Sequence, residues 1–130
     1  MDQPFIHRFT QAEANALLDE LRPLVAQMRE AHATLRASQA RLHDLMEKAV
    51  LGGGSRIPPE LMRAGTHLEK AVLAIQRRGV VIKDVAVGLL DFPSERDGRP
   101  VFLCWKPGET SVDHWHDLEG GYSRRQPLEP

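Results

Sequence analysis

The chain has 130 residues, 42% hydrophobic and 27% charged, the balance of one ordinary globular domain rather than of a disordered segment. Lys plus Arg number 17 against 18 Asp plus Glu, a formal net charge of -1. No global field therefore draws the protein to nucleic acid or to an anionic membrane, and neither is an expected partner.

A helix starts sharply after Thr10. Thr10-x-x-Glu13 is a capping box, and Phe9 ahead of it can staple onto the first turn. Apolar residues then recur at three- and four-residue steps: Leu17, Leu18, Leu21, Leu24, Val25, Met28, Ala31, Leu35, Leu42, Leu45 and Met46. That face is sustained over several turns, as in a long hairpin or coiled coil. Pro23 removes the bond to the Asp19 carbonyl and predicts a kink or two helices in sequence. The pattern stops at Gly52-Gly53-Gly54-Ser55, a turn.

A second helix starts near Pro58-Pro59, buries Leu61, Ala64, Leu68, Ala71, Val72 and Ile75, and ends at Arg77-Arg78 with Gly79 as a left-handed cap. The two form an antiparallel hairpin. Composition then changes to β-branched and aromatic residues. Residues 80–92 and 101–106 predict strands joined through Asp97-Gly98, a strong hairpin signal, and Pro107-Gly108 turns the chain into a third strand over 112–116.

With Asp97-Gly98 as the turn, Phe92 faces Leu103, Leu90 faces Trp105, and Asp91 faces Cys104. Leu90, Phe92, Val101, Leu103 and Trp105 then share the core side. A two- or four-residue turn would add Val112, His114 and His116 to that side and leave Asp91, Phe102, Cys104 and Trp115 opposite. The expected fold is α+β: one domain with a helical hairpin over 10–79, a small three-stranded antiparallel sheet over 80–117, and a polar surface tail over 118–130. The single cysteine, Cys104, excludes an intrachain disulfide and suits a reducing compartment. With no signal-peptide pattern and no run of ~20 apolar residues, the expected location is the cytoplasm.

The stretch from Phe9-Thr10 through Glu13, Ala14, Asn15, Leu17 and Leu18 to Leu21-Arg22-Pro23-Leu24, then GLLDFPSERDGRPVFLCWKPGE, Trp115-His116 and Gly121-Tyr122-x-x-Arg125, resembles the bacterial family known as domain of unknown function 2203. The resemblance covers almost the whole chain, and its C-terminal block is the most specific part. Tyr122 stands where the family pattern suggests phenylalanine. The resemblance implies no activity. It implies a set of signature residues: Asp91, Arg96, Gly98, Arg99, Cys104, Trp105, Gly108, Glu109, Trp115, His116 and Arg125.

Four constellations could carry chemistry. His114 and His116 share one strand face and could hold a divalent metal with Glu109, Asp117 or Glu119. Asp91, Cys104 and His116 have the residue types of a nucleophilic site, but a carboxylate beside the thiol raises its pKa, the wrong direction for a nucleophile. Arg96, Arg99 and Arg125, near Asp91 and Glu109, could clamp a carboxylate or phosphate; more ordinarily they would pair with those acids and fix the loops. Trp105 and Trp115 complete the candidate ligand-binding set. Arg22, Arg29, Arg36 and His43 form a basic stripe at seven-residue steps, expected to be a solvated helix flank.

Helix lengths predict self-association. Residues 11–50 would span about 60 Å as one helix and residues 60–78 only about 28 Å. Folding back near Ser55 sets Ile75 beside Leu35 and leaves Leu17, Leu18, Leu21, Leu24, Val25 and Met28 without a partner unless the sheet covers them. A homodimer through the first helix is expected, and the function class is a non-catalytic binding or scaffold module. The alternative is a metal-binding protein or metal-dependent enzyme using His114 and His116.

Overall fold

The computed structural model describes residues 7–50, 52 and 57–128. Helix α1 spans Gln11–Ala37, α2 Gln39–Val50 and α3 Pro59–Arg77. Strands follow as β1 Val81–Asp84, β2 Leu89–Arg96, β3 Arg99–Trp105, β4 His114–Asp117 and β5 Gln126–Pro127, with a 3-10 turn at Tyr122–Arg124. The sheet is antiparallel, in the order β1-β2-β3-β4-β5.

The start of α1 is the capping box read from sequence: the Thr10 hydroxyl accepts from the Glu13 amide at 3.1 Å, and the Glu13 carboxylate accepts from the Thr10 amide at 2.8 Å. Pro23 does not divide the helix, which runs unbroken to Ala37. The lost bond falls on the exposed side at Asp19, where water can serve the freed carbonyl. The interruption comes instead at Ser38, whose amide bonds to the Leu35 carbonyl at 3.2 Å.

The hairpin is paired in a different register from the one expected. Arg78 bonds to Glu20 at 3.1–3.2 Å and Arg41 pairs with Glu60 at 3.6 Å, so α3 lies along the middle and end of α1. Ile75 therefore joins Leu18, Leu21, Val25 and Met28 rather than Leu35. The return through Gly53, Gly54 and Ser55 lies outside the described residues.

The sheet covers the other side of that stripe. Ala14, Leu18, Leu21, Val25 and Met28 of α1 pack with Ala71 and Ile75 of α3 and with Leu90, Phe92, Leu103 and Trp105 of β2 and β3. Each such large apolar side chain contributes roughly 1.5–3 kcal/mol by leaving water. The patch expected to need a second chain is thus filled from within. Phe9 closes the near end, its ring edge-on to Phe92 at 5.4 Å and its amide donating to the Pro93 carbonyl at 2.7 Å.

The β2–β3 register is the expected one, with Leu90↔Trp105, Asp91↔Cys104 and Phe92↔Leu103. Both turn residues have positive φ, Asp97 at 52° and Gly98 at 77°, as a two-residue hairpin of this twist requires. Five strands replace the three expected. Residues 80–92 are two strands, because residues 85–88 turn: Asp84 Oδ1 accepts from the Val87 amide at 3.0 Å and Gly88 has φ 84°. The tail over 118–130 adds β5, which pairs Trp115 with Gln126.

The third-strand faces are also reversed. Pairing of Cys104 with His114 and Phe102 with His116 puts both histidines on the face turned from the helices, and Trp115, opposite Leu103, on the core side. An odd number of residues separates Cys104 from His114, whereas the expected turn had an even one.

Candidate functional site

The sheet face turned away from the helices carries Asp91, Cys104 and His116, from β2, β3 and β4. These side chains are 0%, 0% and 1% exposed, an unusual depth for two ionisable groups. His116 Nε2 lies 3.0–3.1 Å from both Asp91 carboxylate oxygens, and its Nδ1 lies 2.7 Å from the Asp117 carbonyl. A carbonyl only accepts, so Nδ1 carries a proton and one further proton sits between Nε2 and Asp91. The Cys104 sulfur lies within 4.8 Å of the same carboxylate. Phe102 tilts against the imidazole with ring centroids 5.6 Å apart.

Burial pushes the Asp91 carboxyl above its ordinary range, against the smaller opposing pulls of His116 and Lys83. Burial first, and Asp91 next, push the Cys104 thiol up to about 12; the positive charge of Arg125 acts the other way but is outweighed. Both imidazole nitrogens are engaged, Nδ1 with the Asp117 carbonyl and Nε2 with Asp91, so neither is left to serve the thiol as a base. The arrangement does not supply the thiolate that nucleophilic chemistry requires.

A second network lies toward the end of the same face. Arg125 Nη2 donates to Glu109 Oε2, while Glu109 Oε1 accepts from the Lys106 amide at 3.0 Å. His114 Nδ1 lies 2.6 Å from both Arg125 Nη2 and Asp113 Oδ1, and a single ring nitrogen can satisfy only one of them at a time. Arg125 stacks 4.7 Å from the Tyr122 ring, and Lys106 Nζ lies 5.1 Å from it. Arg125 Nη1 is buried with no hydrogen-bond partner among the described residues.

The residues singled out by sequence therefore separate. Arg96 sits 4.8 Å over the Trp115 ring and Arg99 pairs with Asp117 at 3.8 Å, so neither joins Arg125 in a clamp. Trp105 is core, its indole donating to the Glu109 carbonyl at 3.0 Å. The metal set His114, His116 and Glu109 is divided: His114 and Glu109 turn to Arg125 while His116 turns to Asp91 and Cys104. Lys83, Tyr122 and Asp113 were missed, and only tertiary contacts bring them here. The basic stripe is partly spent on loops, with Arg22 donating to the Thr110 carbonyl at 2.7 Å and Arg29 to the Ala86 carbonyl at 3.2 Å.

A different surface lies at the far end of the helices. In α2 the stripe Leu42, Leu45, Met46, Ala49 and Val50 contains no buried residue, with Met46 59% and Val50 86% exposed. Ile57 and Met62 are exposed at the nearby start of α3. No helix among the described residues is long and apolar enough to cross a membrane.

Fold and site define an α+β protein in which one antiparallel sheet backs a helical hairpin and buries a carboxyl–thiol–imidazole cluster on its other face. Residues 7–128 match the family described as "Uncharacterized conserved protein (DUF2203)", and the chain belongs to that family. No curated protein and no solved structure matches it.

Proposed function

We propose that this is a non-catalytic binding module that self-associates through the α2 end of its helical arm. The observation that carries it is the apolar stripe of α2, which holds no buried residue and leaves Met46 and Val50 largely exposed. Contiguous apolar surface of this kind is characteristic of interaction sites. The covered stripe of α1 no longer argues for a dimer; the uncovered one does, further along the same helical run.

A second copy is the occupant that the charges favour. Asp44 and Lys48 stand symmetrically about Met46, and His43 and Glu47 about Leu45. An antiparallel copy with its two-fold near Leu45 would set His43 of each chain beside Glu47 of the other, a self-complementary arrangement. Among the described residues these groups pair with each other, Lys48 with Asp44 at 3.3 Å and His43 with Glu47 at 3.6 Å. The protonated thiol and the doubly engaged imidazole favour binding over catalysis, and a single buried cysteine suits the cytoplasm.

Light scattering and sedimentation at micromolar concentration test it. The expected result is a dimer mass for the native chain and a monomer for Met46→Glu/Val50→Glu with unchanged circular dichroism. A native monomer across that range, or a dimer indifferent to both substitutions, overturns it.

A further inference from the structure

We infer that Asp91, Cys104 and His116 form a binding site for a zinc-type divalent cation. A carboxylate oxygen, the sulfur and an imidazole nitrogen all lie within 4.8 Å of one another. Zinc bonds of about 2.0–2.3 Å set tetrahedral ligand–ligand edges at roughly 3.3–3.8 Å. With Asp91 and His116 at 3.0–3.1 Å, the cluster brackets that spacing.

His116 is oriented as a metal ligand is. Its Nδ1–H is held by the Asp117 carbonyl, which leaves Nε2 to present its lone pair to the cluster. A carboxylate and an imidazole lone pair cannot face each other at this distance without a cation between them. In the metal-free chain that cation is a proton; a metal ion serves the same place and recruits the sulfur as well.

Charge and softness select the ion. A dication would displace the thiol proton and the proton between Asp91 and His116, so thiolate and carboxylate cancel its two charges. The loaded centre is neutral, which suits a buried sheet face. Sulfur with imidazole and carboxylate favours zinc and its spectroscopic stand-in cobalt over magnesium or calcium. Three protein ligands leave a fourth position for water or a small exogenous donor. The site is independent of the α2 surface, and it differs from the His114, His116 and Glu109 set, which Arg125 divides.

The test uses tag-free full-length protein, refolded with cobalt(II) because the ligands are enclosed. The expected result is about one ion per chain, the count of a single three-ligand site, with a thiolate-to-cobalt charge-transfer band and the intense visible absorption of a four-coordinate centre. Zinc should abolish both bands, His114→Gln should keep them, and Cys104→Ser should lose the charge-transfer band. Natively refolded protein without that band overturns the site, as does a band that persists in Cys104→Ser. Should Cys104→Ser fail to fold, the wild-type spectrum and its displacement by zinc decide the matter: a charge-transfer band that zinc removes supports the site, and absence of either overturns it.

Discussion

Asn15 holds the peptide of Val112 at both ends. The Val112 amide donates to Asn15 Oδ1 at 2.6 Å, and the Val112 carbonyl accepts from Asn15 Nδ2 at 3.2 Å. Gln11 Nε2 also donates to that carbonyl, at 3.0 Å. Helix α1 thereby fixes the chain just before β4. Asn15→Ala leaves a buried amide without an acceptor and should cost about 1–3 kcal/mol in urea titration. A change below ~0.5 kcal/mol, the scatter of an ordinary surface substitution, would mean that water takes over the amide side chain's work.

Gly88 is a close approach between the β1–β2 turn and α1. A Cβ there would lie 2.7 Å from Val25 Cγ1 and 3.0 Å from Arg29 Cδ, at a φ of 84°. Val25 is buried in the core and cannot swing aside as Arg29 can. Gly88→Ala combines backbone strain with overpacking and should destabilise by about 2–4 kcal/mol. A melting temperature equal to wild type would show that the turn can move off the helix.

Trp105 packs with Leu90 and Phe92 beneath α1 and is 2% exposed. Trp105→Ala should cost about 3–5 kcal/mol, the range for truncating a large buried aromatic. Trp105→Phe should lose less, since it keeps most of the ring but not the indole bond to the Glu109 carbonyl. A loss for Trp105→Ala under ~1 kcal/mol would contradict the core assignment.

The Asp91 carboxyl is raised above its ordinary value of 3.8, chiefly by burial. A carboxyl whose folded pKa exceeds its unfolded one favours folding while protonated. That stability is complete below the unfolded value and is lost as pH rises through the folded one, by up to about 1.4 kcal/mol per pH unit. Metal-free wild type should therefore lose stability relative to Asp91→Asn as pH climbs above about 4, the ordinary carboxyl range. Denaturant curves of the two proteins in chelator check this, and stability differences that stay constant with pH would contradict the raised carboxyl.

Local chemistry made part of this structure legible. The Thr10–Glu13 box and the Asp97–Gly98 turn each specify backbone geometry within a few residues, so the start of α1 and every β2–β3 partner followed from them. The turn over 85–88 was hidden because Val85 and Val87 look like strand residues; its signal is the polar cap of Asp84 and the positive φ of Gly88. The face taken by His114 and His116 had no local signal. It depends on the residue count of an irregular loop anchored by Asn15, and a slip of one residue exchanges the faces. The trio Asp91, Cys104 and His116 was visible as residue types, but its convergence needed that tertiary anchor.

The core stripe of α1 waits for a distant part of the chain. Met28 is sealed by β2 and β3, which end at Trp105. At about 5–20 residues per second, a ribosome takes roughly 4–15 s to bridge that interval. Through that time Leu18, Leu21, Val25 and Met28 are made but cannot yet be roofed by the sheet. The nascent chain is then a half-built hairpin with a bare apolar strip, the form in which it is most open to chaperones and to misassembly with its neighbours.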